Sequence, residues 1–128
     1  MRLLLDTHIL LCAVANSSKL SVAARALIGD LDNALIFSSV SLWEVAIKSG
    51  RRRGDFRIDV SSLRRNLLDN GYAELAMTGA HAAALTGLPL IHRDPFDRML
   101  AAQAIVEGLT LVTSDSAVAR YPAPIRMV

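Results

Sequence analysis

Short, unbroken apolar runs alternate along the chain with stretches whose apolar residues recur every three or four positions. RLLL (2–5), LIFS (35–38) and LTLVT (109–113) have no polar alternation, as expected of strands covered on both faces. Helical periodicity predicts helices over 7–16, 21–32 and 41–49, the last stopped by Gly50. A basic loop over 51–58 follows. Further helices are predicted over 59–70, with Asp59 as N-cap and Gly71 behind it, and over 78–86, ended by Gly87 and Pro89. The longest spans 94–107, with Pro95 in its first turn and Gly108 after it. Weaker signals give strands at 72–77 and 125–128 and a short helix at 114–120. Strands alternating with helices predict an α/β domain whose parallel sheet lies between helical layers. No internal repeat, linker or low-complexity segment interrupts it.

With 128 residues the chain is read as one domain, 1–128. The net charge of +2 permits nucleic-acid binding without arguing for it. The distribution says more: Arg51, Arg52, Arg53 and Arg57 fall within seven residues. They suit either phosphate contacts or a solvated loop. The lone cysteine, Cys12, excludes an internal disulfide and a cysteine-based metal site, and its apolar neighbours suggest a core thiol. Asp6 and His8 interrupt the N-terminal apolar stretch, so it does not read as a signal peptide, and no run approaches a membrane span. The expectation is a soluble cytoplasmic protein with no membrane partner.

Four of the twelve acids have similar addresses. Asp6 ends the first strand, Glu44 falls in the first turn of the helix after the second, Asp97 opens the longest helix, and Asp115 follows LTLVT. In a parallel α/β sheet these positions share the ligand-binding edge. Capping explains each acid singly. Ser41 and Glu44 form a capping-box pattern, Asp94 and Asp97 flank Pro95, and Asp6 and Asp115 suit a helix dipole. Crowding on one edge is harder to explain this way, since two carboxylates 4 Å apart repel by about 4 kcal/mol at an effective dielectric near 20. A cation or bound protons must relieve such a cluster. Oxygen ligands without cysteine or paired histidine select Mg²⁺ or Mn²⁺ over Zn²⁺.

LLLDTHILL, SSVSLWEVAIKSG, LPLIHRDPFDRMLAAQA and LTLVTSDSAVARY together resemble the PIN-domain ribonucleases, in order and spacing and over almost the whole chain. The similarity is greatest to the toxin halves of bacterial VapBC-type toxin–antitoxin pairs. It implies a three-layer α/β/α fold with a central, mainly parallel sheet, and Mg²⁺- or Mn²⁺-dependent endonucleolytic cleavage of RNA. The family's acidic quartet falls on Asp6, Glu44, Asp97 and Asp115. Asp6 and Asp97 are expected as main metal ligands, with Glu44 and Asp115 acting through water, while Asp94 caps the helix. Thr7 and Thr113 are candidates to hydrogen-bond a ligating carboxylate. Arg51, Arg52, Arg53, Arg93 and Arg98 are candidate RNA contacts. The resemblance also implies a homodimer and a hetero-oligomer with an inhibitory antitoxin.

Other features have plainer readings. Lys48 is four residues after Glu44, the spacing of a helical ion pair. His8 and His81 suit packing, Ser114 and Ser116 suit turns, and Trp43 suits core or interface. His92 has no assignment. Three rival functions are an RNA-processing PIN nuclease that is not a toxin, another acidic-site enzyme, and a metal-free binding module. Dehalogenase-type phosphatases need an Asp where His8 stands, and a receiver domain needs a lysine near its end. Only Lys19 and Lys48 are present.

Overall fold

The computed structural model describes residues 1–51 and 58–128, with only the backbone of Arg51. Five parallel strands form one sheet in the order β3-β2-β1-β4-β5. They are β1 (Arg2–Leu5), β2 (Ala34–Ser38), β3 (Ala73–Leu75), β4 (Thr110–Thr113) and β5 (Ile125–Met127). The described helices are α1 (Thr7–Val14), α2 (Val22–Gly29), α3 (Ser39–Arg51), α4 (Val60–Asp69), α5 (Gly79–Ala84) and α6 (Pro95–Glu107). Leu4 of β1 sits opposite Ile36 of β2 and Leu111 of β4, so the most apolar strand has partners on both sides.

Side-chain alternation along the strands splits the core in two. Leu3 and Leu5 of β1, Phe37 of β2 and Val112 of β4 pack with α1, α2, α4 and part of α3. Leu4, Ile36 and Leu111 face the other way, against α6 and the α5 end. The result is the expected α/β/α arrangement, with an entirely parallel sheet. Among the described residues, no helix is long and apolar enough to cross a membrane.

Local chemistry set several boundaries differently from the expectation. α2 stops at Gly29, not 32, because the Asp30 side chain accepts the Asp32 amide at 2.9 Å and turns the chain. α3 begins at Ser39, two residues before the expected start. The Ser38 hydroxyl accepts the Val40 amide at 3.0 Å, so the capping-box pattern at Ser41 and Glu44 is not used. Glu44 therefore lies in the second turn of α3. Gly50 is inside α3 and does not end it. Of the expected helix at 114–120 only a 3-10 turn, Val118–Arg120, forms. The α6 boundaries match: Asp94 caps it, Pro95 follows, and Gly108 closes it with φ +66°.

Candidate metal and active site

The strand order reverses at β1: β2 and β3 extend to one side, β4 and β5 to the other. A crevice opens at the carboxyl ends of strands around such a switch point. Here Asp6 follows β1 and Asp115 follows β4, and the Asp6 amide donates to Val112 O at 3.0 Å across the junction. Glu44 comes from α3 and Asp97 from α6. All four line one cavity of about 400 Å³, together with Thr7, His8, Lys48, Asp94 and Ser114.

Asp6 is 5% exposed and caps α1, its Oδ1 accepting the Ile9 amide at 2.8 Å. Burial raises its pKa, and hydrogen bonds from Thr113 and the Ile9 amide oppose that rise. Thr113 is fully buried, and its Oγ1 also accepts the Asp115 amide at 3.0 Å. It thus joins two of the acids. Thr7 does something else: its hydroxyl donates to Ser41 Oγ at 2.9 Å, tying α1 to α3, and it reaches no carboxylate among the described residues.

Glu44 is 6% exposed. One carboxylate oxygen pairs with Lys48, at the expected helical spacing. The other, Oε1, is buried and has no hydrogen-bond partner among the described residues. Such an orphaned acceptor costs about 1–3 kcal/mol. Asp97 shows the same imbalance. Its pKa is pushed up to about 7, first by burial and then by Asp94, Glu44 and Asp6, while His92 opposes. Lys48 answers only part of this charge, its own pKa raised chiefly by the hydrogen bond to Glu44. An oxygen-rich donor set with an orphaned acceptor and a proton-retaining acid fits a hard divalent cation.

Asp94 does cap α6, accepting the amides of Phe96 at 2.8 Å and Asp97 at 3.2 Å. It also lines the cavity. Asp115 has a capping role too, its Oδ1 accepting the Ala117 amide at 2.8 Å. Arg98, expected near substrate, turns inward. Its guanidinium donates to Pro89 O at 2.9 Å and to the Tyr121 hydroxyl at 3.4 Å, bracing the loop before α6. Arg93 is exposed beside that loop. The side chains of Arg51, Arg52 and Arg53, and Arg57 with them, lie outside the described residues. His8 stands 3.7 Å from Cys12 Sγ and at the cavity edge. Trp43 is 55% exposed and packs edge-on against Phe96, ring centroids 5.0 Å apart.

The residue that sequence reasoning left unassigned is His92. Its Nε2 lies 3.5 Å from Asp97 Oδ2 and 3.5 Å from Asp115 Oδ2. Its place two residues before a helix cap was a usable signal, because a ring there can reach the amide of the capping residue. His81, expected on the surface or in packing, is fully buried.

Comparison with known proteins adds kinship to this geometry. A family model described as PIN domain matches residues 3–124. The chain is 32% identical over 125 residues to Ribonuclease VapC22 of Mycobacterium tuberculosis, covering 95% of each. VapBC2 from Rickettsia felis, solved bound to a DNA fragment from its promoter, superposes with a TM-score of 0.71 at 17% identity. That match covers 100% of this chain and 99% of the other. VapBC-5 from Mycobacterium tuberculosis, a toxin–antitoxin system, superposes at 0.66 with 18% identity, covering 99% and 97%. At these identities the two structures speak for the fold.

Proposed function

The chain belongs to the PIN-domain family, and from that premise we propose that it is a metal-dependent endoribonuclease, the toxin of a toxin–antitoxin pair. The observation that carries this reading is the convergence of Asp6, Glu44, Asp97 and Asp115 on one cavity, with Glu44 Oε1 buried and unpartnered among the described residues. A relative named as a ribonuclease and structural neighbours titled as VapBC complexes favour a toxin over an RNA-processing nuclease.

Residues 1–128 act as a single nuclease domain, working in the cytoplasm. Asp6 and Asp97 are the main ligands of a Mg²⁺ or Mn²⁺ ion, and Glu44 and Asp115 act through water. The bound cation supplies Lewis acidity to the scissile phosphate and to the attacking water. The protein's own contribution is positional. Thr113 fixes Asp6 and the start of the Asp115 turn. The α6 cap at Asp94 frees Asp97 from any capping duty, so its carboxyl is available to the site. Lys48 holds one oxygen of Glu44 and sets a positive charge at the cavity edge, where an RNA phosphate enters. Arg51, Arg52, Arg53 and Arg93 are further candidate contacts for RNA phosphates. An antitoxin silences the enzyme by covering this cavity.

End-labelled structured RNAs, incubated with Mn²⁺ or Mg²⁺, test the reading. Wild type is expected to give discrete fragments that vanish in chelator and in Asp6→Asn. Asparagine still caps α1, so the variant loses charge without losing the helix start. Cleavage that persists in the variant or in chelator would reject this site.

A further inference from the structure

His92 is a polar ring beside the acidic cluster that the ligand set above does not use. It is held from three directions. The buried Tyr121 hydroxyl accepts the His92 amide at 2.9 Å and donates to the His92 carbonyl at 3.1 Å. The ring's Nδ1 accepts the Asp94 amide at 3.0 Å. With backbone and ring both fixed, Nε2 stands at equal distance from Oδ2 of Asp97 and Oδ2 of Asp115, 3.5 Å from each.

The hydrogen count decides what Nε2 does there. A backbone N–H can only donate, so Nδ1 must accept, and the proton of the neutral ring sits on Nε2. Ligation of a cation through Nε2 would need that proton on Nδ1, where it would meet the Asp94 amide, donor against donor. A flipped ring would set a C–H against the same amide. His92, Asp97 and Asp115 each place one polar atom within 4.8 Å of the others, a spacing that also suits three ligands of a cation. The Asp94 contact excludes the histidine from that role. At 3.5 Å from a carboxylate oxygen of each acid, Nε2–H is attracted to both and makes a regular hydrogen bond to neither.

We propose that His92 is a positioning residue: its Nε2–H spans the Asp97 and Asp115 carboxylates and holds them in the orientation that receives the cation. The proposal rests on the metal-site reading above and adds to it a member that is not an acid. Tyr121, itself outside the cavity lining, then acts through His92.

Asparagine and glutamine separate the two ends of the ring. In His92→Asn the amide oxygen replaces Nδ1 and still accepts the Asp94 amide, but no donor reaches the carboxylates. In His92→Gln the amide nitrogen replaces Nε2 and restores the donor. Calorimetric titration of the full chain with Mn²⁺ at fixed pH is the readout. Asparagine is expected to weaken Mn²⁺ binding by about tenfold or more, the usual scale for an outer-shell partner, and glutamine to recover most of that loss. Wild-type affinity in His92→Asn would overturn the proposal, because it would leave the histidine a role only in the turn. An equal loss in both variants would also overturn it. Should asparagine disturb the loop, glutamine against alanine at the same position reads the same donor, and equal affinities there overturn it. A wild-type chain that takes up no Mn²⁺ would instead defeat the metal-site reading itself.

Discussion

Asp97 keeps its proton far above the ordinary carboxylate range of 3.8, to about pH 7, because burial and three neighbouring carboxylates disfavour its charge. The linkage has a definite sign. Between about pH 4 and pH 7 the folded chain holds a proton that the unfolded chain has released, so stability falls as pH rises through that window. In chelator, the wild-type melting temperature should decline from pH 5 to above pH 7. Asp97→Asn should flatten that decline and melt about 5 °C higher at the upper end, roughly 1 kcal/mol for a chain this size. Superimposable pH profiles would reject the assignment. Added Mn²⁺ should reverse the ranking, since wild type gains the cation's binding energy and the variant gains little. In the same range Mn²⁺ should bind more tightly as pH rises, because the ligand must first lose its proton.

Elements are joined here by polar contacts as well as by packing. The Ser38 hydroxyl at the end of β2 donates to Gln103 Oε1 at 2.6 Å, and Gln103 Nε2 stands 3.3 Å from His81 Nδ1. His81 Nε2 is 2.9 Å from Glu107, and its Nδ1 accepts the Thr78 amide at 2.9 Å, capping α5. The chain of contacts fastens β2, α5 and α6 together beneath the acidic edge. Gln103→Leu leaves the proton of the buried Ser38 hydroxyl without its acceptor and should cost about 1–3 kcal/mol in urea denaturation. Adding Ser38→Ala removes that orphaned hydroxyl but also the α3 cap, so the double variant should lose less than the sum of the two single losses; strict additivity would mean that the two side chains are not coupled. None of this was legible in the sequence. His81 and Glu107 are 26 positions apart, and nothing local marks them as partners. The legible elements were those with local rules: the unbroken apolar strands, and α6 with its Asp94, Pro95 and Gly108. The start of α3 was misread because two hydroxyls competed for one cap and Ser38 won from inside the strand. The addresses of the quartet could be read because strand ends share an edge. The charge state of Asp97 and the aim of His92 needed the third dimension.

The whole molecule leaves sizeable apolar side chains in water, among them Val22, Leu31, Trp43 and Leu90. Scattered exposure of this kind is ordinary, yet with so few charges on the chain it leaves surface for a second copy and for the proposed antitoxin. Size-exclusion chromatography with light scattering should give a dimer for the purified protein. A monomer at every concentration would defeat that expectation.

The strand order also has a consequence in time. A ribosome that has delivered β1, β2 and β3 has delivered Asp6 and Glu44, and the chain at that stage has nothing on the far side of β1. Asp97 and Asp115 come with α6 and β4, in the last third of translation. At about 5–20 residues per second, the interval between the first acid and the last is on the order of ten seconds. A polypeptide cut short anywhere in that interval lacks part of the quartet, and on the proposed function an inhibitor already present has a window in which to meet the chain before its acidic site is complete.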